Sequence, residues 1–80
     1  MARTARMARQ EKRAVVLLGG SILQRPMAEE IKRRDLLLVL IDQNPQCACR
    51  DLADHFEPIS IYDASRIWTA LRTFVITRGI

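Results

Sequence analysis

Two cysteines and the single histidine are the residues whose types are best suited to chemistry. Cys47 and Cys49 are separated by one residue in the segment CAC, and His55 follows. A zinc site usually takes four ligands, with cysteines two to four residues apart, and this group offers three ligands at an unusual spacing. A cysteine–histidine nucleophile pair would also need a third group to orient the histidine. We therefore interpret both cysteines as free thiols and predict no metal site.

Two other segments also fall short of an enzymatic site. Glu29 and Glu30 are adjacent near the start of a predicted helix, where the helix dipole favours acidic side chains, so we do not interpret them as an acid/base pair. The segment GGS at residues 19–21 lacks the lysine and the spacing of a phosphate-binding loop. The sequence therefore predicts a protein that is not an enzyme and has no cofactor.

A polar stripe near the C-terminus is the better candidate for binding. Apolar side chains recur there at helical spacing, at positions 64, 67, 68, 71, 74 and 75, so we expect Trp68 in the core. Tyr62, Arg66 and Thr69 recur on the opposite side of the same helix. Ser60 can cap this helix, with Asp63 as its capping-box partner, and Gly79 ends it.

The elements before this helix also have helical patterns. Residues 4–18 contain no glycine or proline, and two glycines follow them. Pro26 suits the first turn of a helix that runs to about residue 43, where the dipeptide NP ends it. Residues 36–41 are apolar on all sides, so we expect that half of the helix at the centre of the fold. A shorter helix is predicted at 48–56.

These patterns predict an all-α fold, a small bundle of four to five helices. Eighty residues suffice for one domain with a thin core, and we place that domain at 1–80, with its core at 26–80. Residues 1–34 carry nine basic and three acidic groups, a net charge of +6 that suits an acidic partner. The N-terminal arm, residues 1–13, contributes Arg3, Arg6, Arg9, Lys12 and Arg13.

Membrane insertion is not expected. The longest apolar runs are far shorter than the roughly 20 residues that span a bilayer. The N-terminus lacks the cleavage site of a secretory signal, so we expect an intracellular, cytoplasmic protein. A basic helix resting on an anionic membrane is the weakest alternative, because the apolar face of the N-terminal helix has no aromatic residue.

The segment RDLLLVLIDQNPQCACRDLADHFEPISIYDASRIWTALR, residues 34–72, resembles the helix-turn-helix of small bacterial and phage transcription regulators. The resemblance implies that CRDLADHF is the positioning helix and ISIYDASRIWTALR the recognition helix. The turn departs from the family, because it reads EPI without a glycine. From residue 47 onward, the sequence has four basic and four acidic residues, so this segment has no net positive charge. DNA binding would therefore also need positive charge from the N-terminal arm.

The resemblance implies a small transcriptional regulator that binds double-stranded DNA and, in many members, dimerises. The residues implied in contact with DNA are Tyr62, Ser65, Arg66, Thr69, Arg72 and Arg50, with Arg66 as the main base reader. The alternative is an antiactivator of similar outline that inhibits a transcription factor protein. Residues 68–80 and 7–18 are candidate surfaces of a homodimer. The remaining interpretation of the polar stripe is a solvated helix face with no binding role.

Overall fold

The computed structural model describes the backbone of residues 13–78 and the side chains of residues 13–74. Its elements are β1 (Ala14–Leu18), a first 3-10 turn (Ile22–Gln24), α1 (Arg25–Arg33), β2 (Leu37–Ile41), a second 3-10 turn (Arg50–Leu52), β3 (His55–Glu57) and α2 (Ala64–Arg78). The strands form one parallel sheet in the order β1-β2-β3. The protein therefore has an α/β fold, and the predicted all-α bundle is wrong.

Strand β2 lies at the centre because it is apolar on both faces. Leu38, Val39, Leu40 and Ile41 are at most 1% exposed. A parallel strand covered on both sides has such a continuous apolar run, without alternating polar residues. A buried helix segment has the same composition, and periodicity does not distinguish the two in so short a run. The central position predicted for residues 36–41 is correct, but their predicted helical conformation is wrong.

Helix α1 begins where the sequence predicts and ends earlier. Pro26 lies in its first turn, where the missing N–H costs no hydrogen bond. The helix ends at Arg33, and Asp35 then takes a left-handed conformation with φ of 58°. This conformation turns the chain into β2, and aspartate is one of the few residues other than glycine that adopts it readily.

One face of the sheet is covered by α1 and the second 3-10 turn. Leu38 and Leu40 of β2 pack there against Ala28 and Ile31 of α1 and against Cys49. All five side chains are at most 4% exposed. Since alternate side chains of a strand point to opposite faces, the remaining β2 residues face the other way.

The other face is covered by α2. Val39 and Ile41 pack there with Ile59 and with Phe74 of α2. Asp63 caps this helix, because its carboxylate accepts the N–H of Arg66 at 3.2 Å. The cap predicted at Ser60 is therefore displaced by three residues. The sheet thus lies between two helical layers.

The remaining predicted helices are wrong in the described part of the chain. Residues 14–18 of the segment 4–18 form β1, whereas residues 4–12 lie outside the described residues. Residues 48–56 form the second 3-10 turn and part of β3, which pairs with β2. The predicted helix-turn-helix core, which the structure describes in full, is therefore not formed. Trp68 is 65% exposed, so its predicted place in the core is also wrong.

Candidate functional site

The loops that follow the three strands meet at one edge of the sheet and enclose a cleft of about 220 Å³. Its lining residues are Gly19 after β1, Asp42 and Gln43 after β2, and Ser60, Ile61 and Tyr62 after β3. Parallel strands all end at the same edge, and open α/β sheets bind their ligands there. Pockets that enclose a drug-sized ligand measure roughly 300–1,000 Å³. This smaller cleft therefore suits one ring of a ligand and leaves the rest of it outside.

Asp42 is the acidic side chain of the cleft, and two loops hold it in place. Its Oδ2 accepts the N–H of Gly20 at 2.8 Å, and its Oδ1 accepts the N–H of Asn44 at 2.8 Å. Its own N–H donates to the carbonyl of Glu57 at 3.2 Å. Each oxygen of an ionised carboxylate can accept two hydrogen bonds. Asp42 therefore presents two positioned oxygens, each with capacity for one further donor.

Two glycines bring the loop after β1 against Asp42. Gly19 has φ of 95°, and its N–H donates to the carbonyl of Ile41 at 2.8 Å. A Cβ at Gly20 would lie 3.0 Å from Cys47 Sγ and 3.0 Å from Leu40 Cδ1, closer than ordinary carbon contacts. Gly19 is thus favoured by its conformation, whereas a side chain at Gly20 would require Cys47 or Leu40 to move by a few tenths of an ångström.

The N–H groups of this loop are engaged within the protein and do not form an open phosphate cradle. Beyond the two glycines, the N–H of Ser21 donates to Oε1 of Gln24 at 3.0 Å, and the hydroxyl oxygen of Ser21 accepts the N–H of Leu23. These bonds form a capping box at the start of the first 3-10 turn. A phosphate would have to break them before it could bind here.

Arg25 is the basic residue nearest to this loop in sequence, and it points to a different partner. Its guanidinium pairs with both carboxylate oxygens of Asp51, at 2.8 and 3.0 Å, and bonds the carbonyl of Ala48. The hydrogen bond from Arg25 lowers the pKa of Asp51, and the same bond raises the pKa of Arg25. This pair attaches α1 to the second 3-10 turn.

The cysteines and the histidine do not form one site. Cys49 is fully buried on the α1 side of the sheet, where burial raises the pKa of its thiol. His55 lies on the α2 side of the sheet, where its ring centre is 4.9 Å from that of Phe74. Its Nε2 lies 2.7 Å from Glu57 Oε2. Among residues 13–78, no three His, Cys, Asp or Glu side chains converge as metal ligands.

The residues predicted to contact DNA or a partner are all exposed: Tyr62, Ser65, Arg66, Thr69, Arg72 and Arg50. The first five lie on α2 or in the turn before it. Arg50 lies on the opposite face of the sheet, where its guanidinium stacks 4.6 Å from the ring centre of Phe56. The structure therefore places five of the six predicted contact residues on one element and its preceding turn, and Arg50 apart from them. DNA binding and inhibition of a transcription factor stay predictions, now without the helix pair on which they depended.

The predicted basic arm falls mostly on residues that the structure does not describe, namely Arg3, Arg6, Arg9 and Lys12. Arg13 is exposed, and its carbonyl accepts the N–H of Leu37 at 2.9 Å. Arg13, the last residue of the predicted arm, is thus hydrogen-bonded through its backbone to the start of β2.

No family model matches the chain, and neither the curated proteins nor the solved structures contain a match. In the described part of the chain, no helix combines the length and the apolar character needed to cross a bilayer.

Of the residues that line the cleft, the sequence singled out Tyr62 for binding and missed the others, above all Asp42, Gly19 and Ser60. A signal was present: an apolar run, two glycines, a helical segment, and a second apolar run that is followed by Asp42. Strand-like runs that alternate with a helical segment are typical of a parallel β-α-β unit. The polar residues after such strands then meet at one edge.

Proposed function

We propose that this domain binds a small molecule with neighbouring hydroxyl groups, a ribonucleoside foremost, in the cleft at the carboxyl ends of its strands. The observation that carries the proposal is the position of Asp42. It lies 22 residues after Gly20, at the end of the second strand, and touches the glycine loop directly. In doubly wound α/β proteins, an acidic residue about 20 residues after the glycine loop accepts hydrogen bonds from ribose hydroxyls.

The composition of the cleft supports a sugar hydroxyl over a phosphate. Asp42 is the charged residue among those that line it, and a carboxylate attracts donors and repels anions. The N–H groups of Gly19, Gly20 and Ser21 already have acceptors. A phosphate attached to the ligand would therefore lie outside the cleft.

The rim offers a surface for a planar ring. Tyr62 is 91% exposed, and Ile61 beside it is 40% exposed. An aromatic side chain binds a base by stacking, which contributes about 1–3 kcal/mol in single-stranded nucleic acid complexes. Ser60, whose hydroxyl oxygen accepts the N–H of Tyr62 at 3.2 Å, retains its hydroxyl proton for a ligand.

The proposal is tested by titrating the ¹⁵N-labelled protein with adenosine, guanosine, cytidine and uridine, and with 2′,3′-dideoxyadenosine as the adenosine analogue that lacks the two neighbouring hydroxyls. We expect saturable shift changes centred on Gly19, Asp42 and Tyr62 for at least one ribonucleoside. Loss of a hydrogen bond to a charged acceptor costs about 1.5–3 kcal/mol, so the dideoxy probe should bind at least tenfold more weakly. Absence of any saturable change at millimolar ribonucleoside would refute the proposal.

Matched variants separate the role of the carboxylate from general effects. Asp42→Asn should weaken ribonucleoside binding by a similar factor and leave the weaker dideoxy binding unchanged. Asp35→Asn is the control, because Asp35 is an exposed acid before β2, at the opposite end of that strand. Equal affinity for a ribonucleoside in the Asp42→Asn and parent proteins, with equal melting temperatures, would remove Asp42 from the site.

A further inference from the structure

The outer edge of β1 combines features that protein sheets normally avoid at an edge. Among residues 13–78, no strand pairs with β1 on the side away from β2. The strand AVVLL carries no charge and no proline over five residues. Natural edge strands are usually short, charged or interrupted, because an unprotected edge recruits other strands.

The opposite edge of the same sheet has such protection. Strand β3 has only three residues, of which His55 and Glu57 are ionisable. Their side chains bond each other at 2.7 Å and remain about 30% exposed. Of the two edges, that of β1 is therefore the one that is open to pairing with a further strand.

The register of the sheet determines which backbone groups β1 offers. The N–H of Leu37 bonds the carbonyl of Arg13, and the N–H of Gly19 bonds the carbonyl of Ile41. With the parallel register between β1 and β2, these bonds direct the odd-numbered residues of the strand toward β2. The N–H and carbonyl groups of Ala14, Val16 and Leu18 therefore point outward.

We propose that β1 pairs with β1 of a second copy of this chain, antiparallel and centred on Val16, to form a continuous six-stranded sheet in a two-fold dimer. An antiparallel pair with Val16 opposite Val16 also sets Ala14 opposite Leu18 of the other copy. Each of these positions is a hydrogen-bonded pair that exchanges two N–H···O bonds. All outward groups of Ala14, Val16 and Leu18 then find acceptors or donors, as a self-complementary two-fold interface requires.

Side-chain exposure and charge agree with a second copy as the partner. Val16 and Leu18 are 39% and 51% exposed, and the strand alternation places them on the face that carries α2. Across the two-fold axis they form one apolar strip with their symmetry mates. Arg13 falls opposite Gly19 of the other copy, so the two Arg13 side chains are six positions apart, about 20 Å, and repel little at physiological salt.

Sedimentation velocity of the full chain tests the proposal at protein concentrations from about 5 to about 500 μM, a range that resolves micromolar association. The parent protein should shift from its monomer mass of 9.2 kDa toward twice that mass. Val16→Lys sets two lysines directly opposite each other, and Val16→Glu does the same with two acids. Each variant alone should dimerise at least tenfold more weakly than the parent.

The decisive sample is an equal mixture of the two variants. If Val16 faces its own copy, lysine meets glutamate and the mixture should regain the dimer. Leu23→Lys is the matched control, since Leu23 is an apolar side chain that is 84% exposed and lies outside β1. It should dimerise like the parent, and circular dichroism should show the same fold for every variant.

Three results would overturn the proposal. A parent chain that stays monomeric throughout the concentration range would refute the dimer, and a strand of a different protein would then be the candidate partner of β1. Parent-like association of Val16→Lys would place the interface elsewhere. Monomeric single variants whose mixture also stays monomeric would exclude an antiparallel pair centred on Val16.

Discussion

The contact between Gly20 and the core predicts that Gly20→Ala destabilises the domain, although the change adds a single methyl group. The new Cβ would lie 3.0 Å from Cys47 Sγ, 3.0 Å from Leu40 Cδ1 and 3.1 Å from Leu40 Cδ2. Leu40 is fully buried in the central strand, so it has little room to move. Overpacking of this kind costs about 1–3 kcal/mol.

The sign of the effect makes this a strict test. A glycine replaced by alanine at an unstrained, roomy position stabilises a protein by about 0.4–1 kcal/mol, because the unfolded chain loses freedom. Urea melts of the parent and of Gly20→Ala measure the difference directly. For a domain of this size, each 1 kcal/mol of lost stability lowers the melting temperature by about 4–8 °C.

A second substitution assigns the cause. Cys47→Ala removes the sulfur that the new methyl group meets, so Gly20→Ala with Cys47→Ala should recover part of the loss. Contacting residues couple by about 0.5–3 kcal/mol in such cycles. Neutral or increased stability of Gly20→Ala would refute the close approach of this loop to β2. A large loss without any coupling to Cys47 would assign the strain to Leu40 alone.

Two further predictions concern the core and the ion pair that attaches α1. Leu38→Ala, at a fully buried position, should lower the free energy of unfolding by about 2–5 kcal/mol in a urea melt. Trp68→Ala, at a side chain that is 65% exposed, should lower it far less. Equal losses in the two variants would contradict the assigned layers. The pKa of Asp51 in the folded protein lies below its ordinary value of 3.8. The stability that the pair with Arg25 contributes is therefore fully present above pH 3.8, and it is lost as the pH falls through the pKa of the folded state. Asp51→Asn should therefore reduce the acid dependence of the urea midpoint below pH 3.8, and an unchanged pH profile would show that the pair adds nothing.

The sequence contains enough information for the position of the core and too little for the type of its central element. The apolar run that ends at Ile41 predicts burial correctly, because composition alone determines how strongly a segment avoids water. Whether the run becomes helix or strand depends on which segments pair with it. β1 pairs from 23 residues away, which follows from the partners Ala14 and Leu37. No pattern within the run itself reports a contact at that distance; only the alternation of strand-like and helical segments across residues 14–41 does.

The predicted helix at 48–56 failed for a related reason. Leu52 and Phe56 do face the core, as helical spacing requires, but a 3-10 turn followed by a short strand brings the same residues inward. Strand β3 is stabilised by its backbone bonds to β2, which propensity does not include. The candidate cleft was missed for the same reason, because it exists only where three strand ends meet.

The order of the sheet also affects how the chain can fold. No two of its strands are joined by a tight turn, and the nearest paired residues, Val39 and His55, are 16 positions apart. Both pairings run through β2, so neither outer strand has a partner until the middle of the chain has been ordered. Each ladder therefore needs one long loop to close before it can form, which raises the entropic barrier of the transition state. During synthesis, the N-terminal third must therefore wait for β2 before any part of this sheet can assemble.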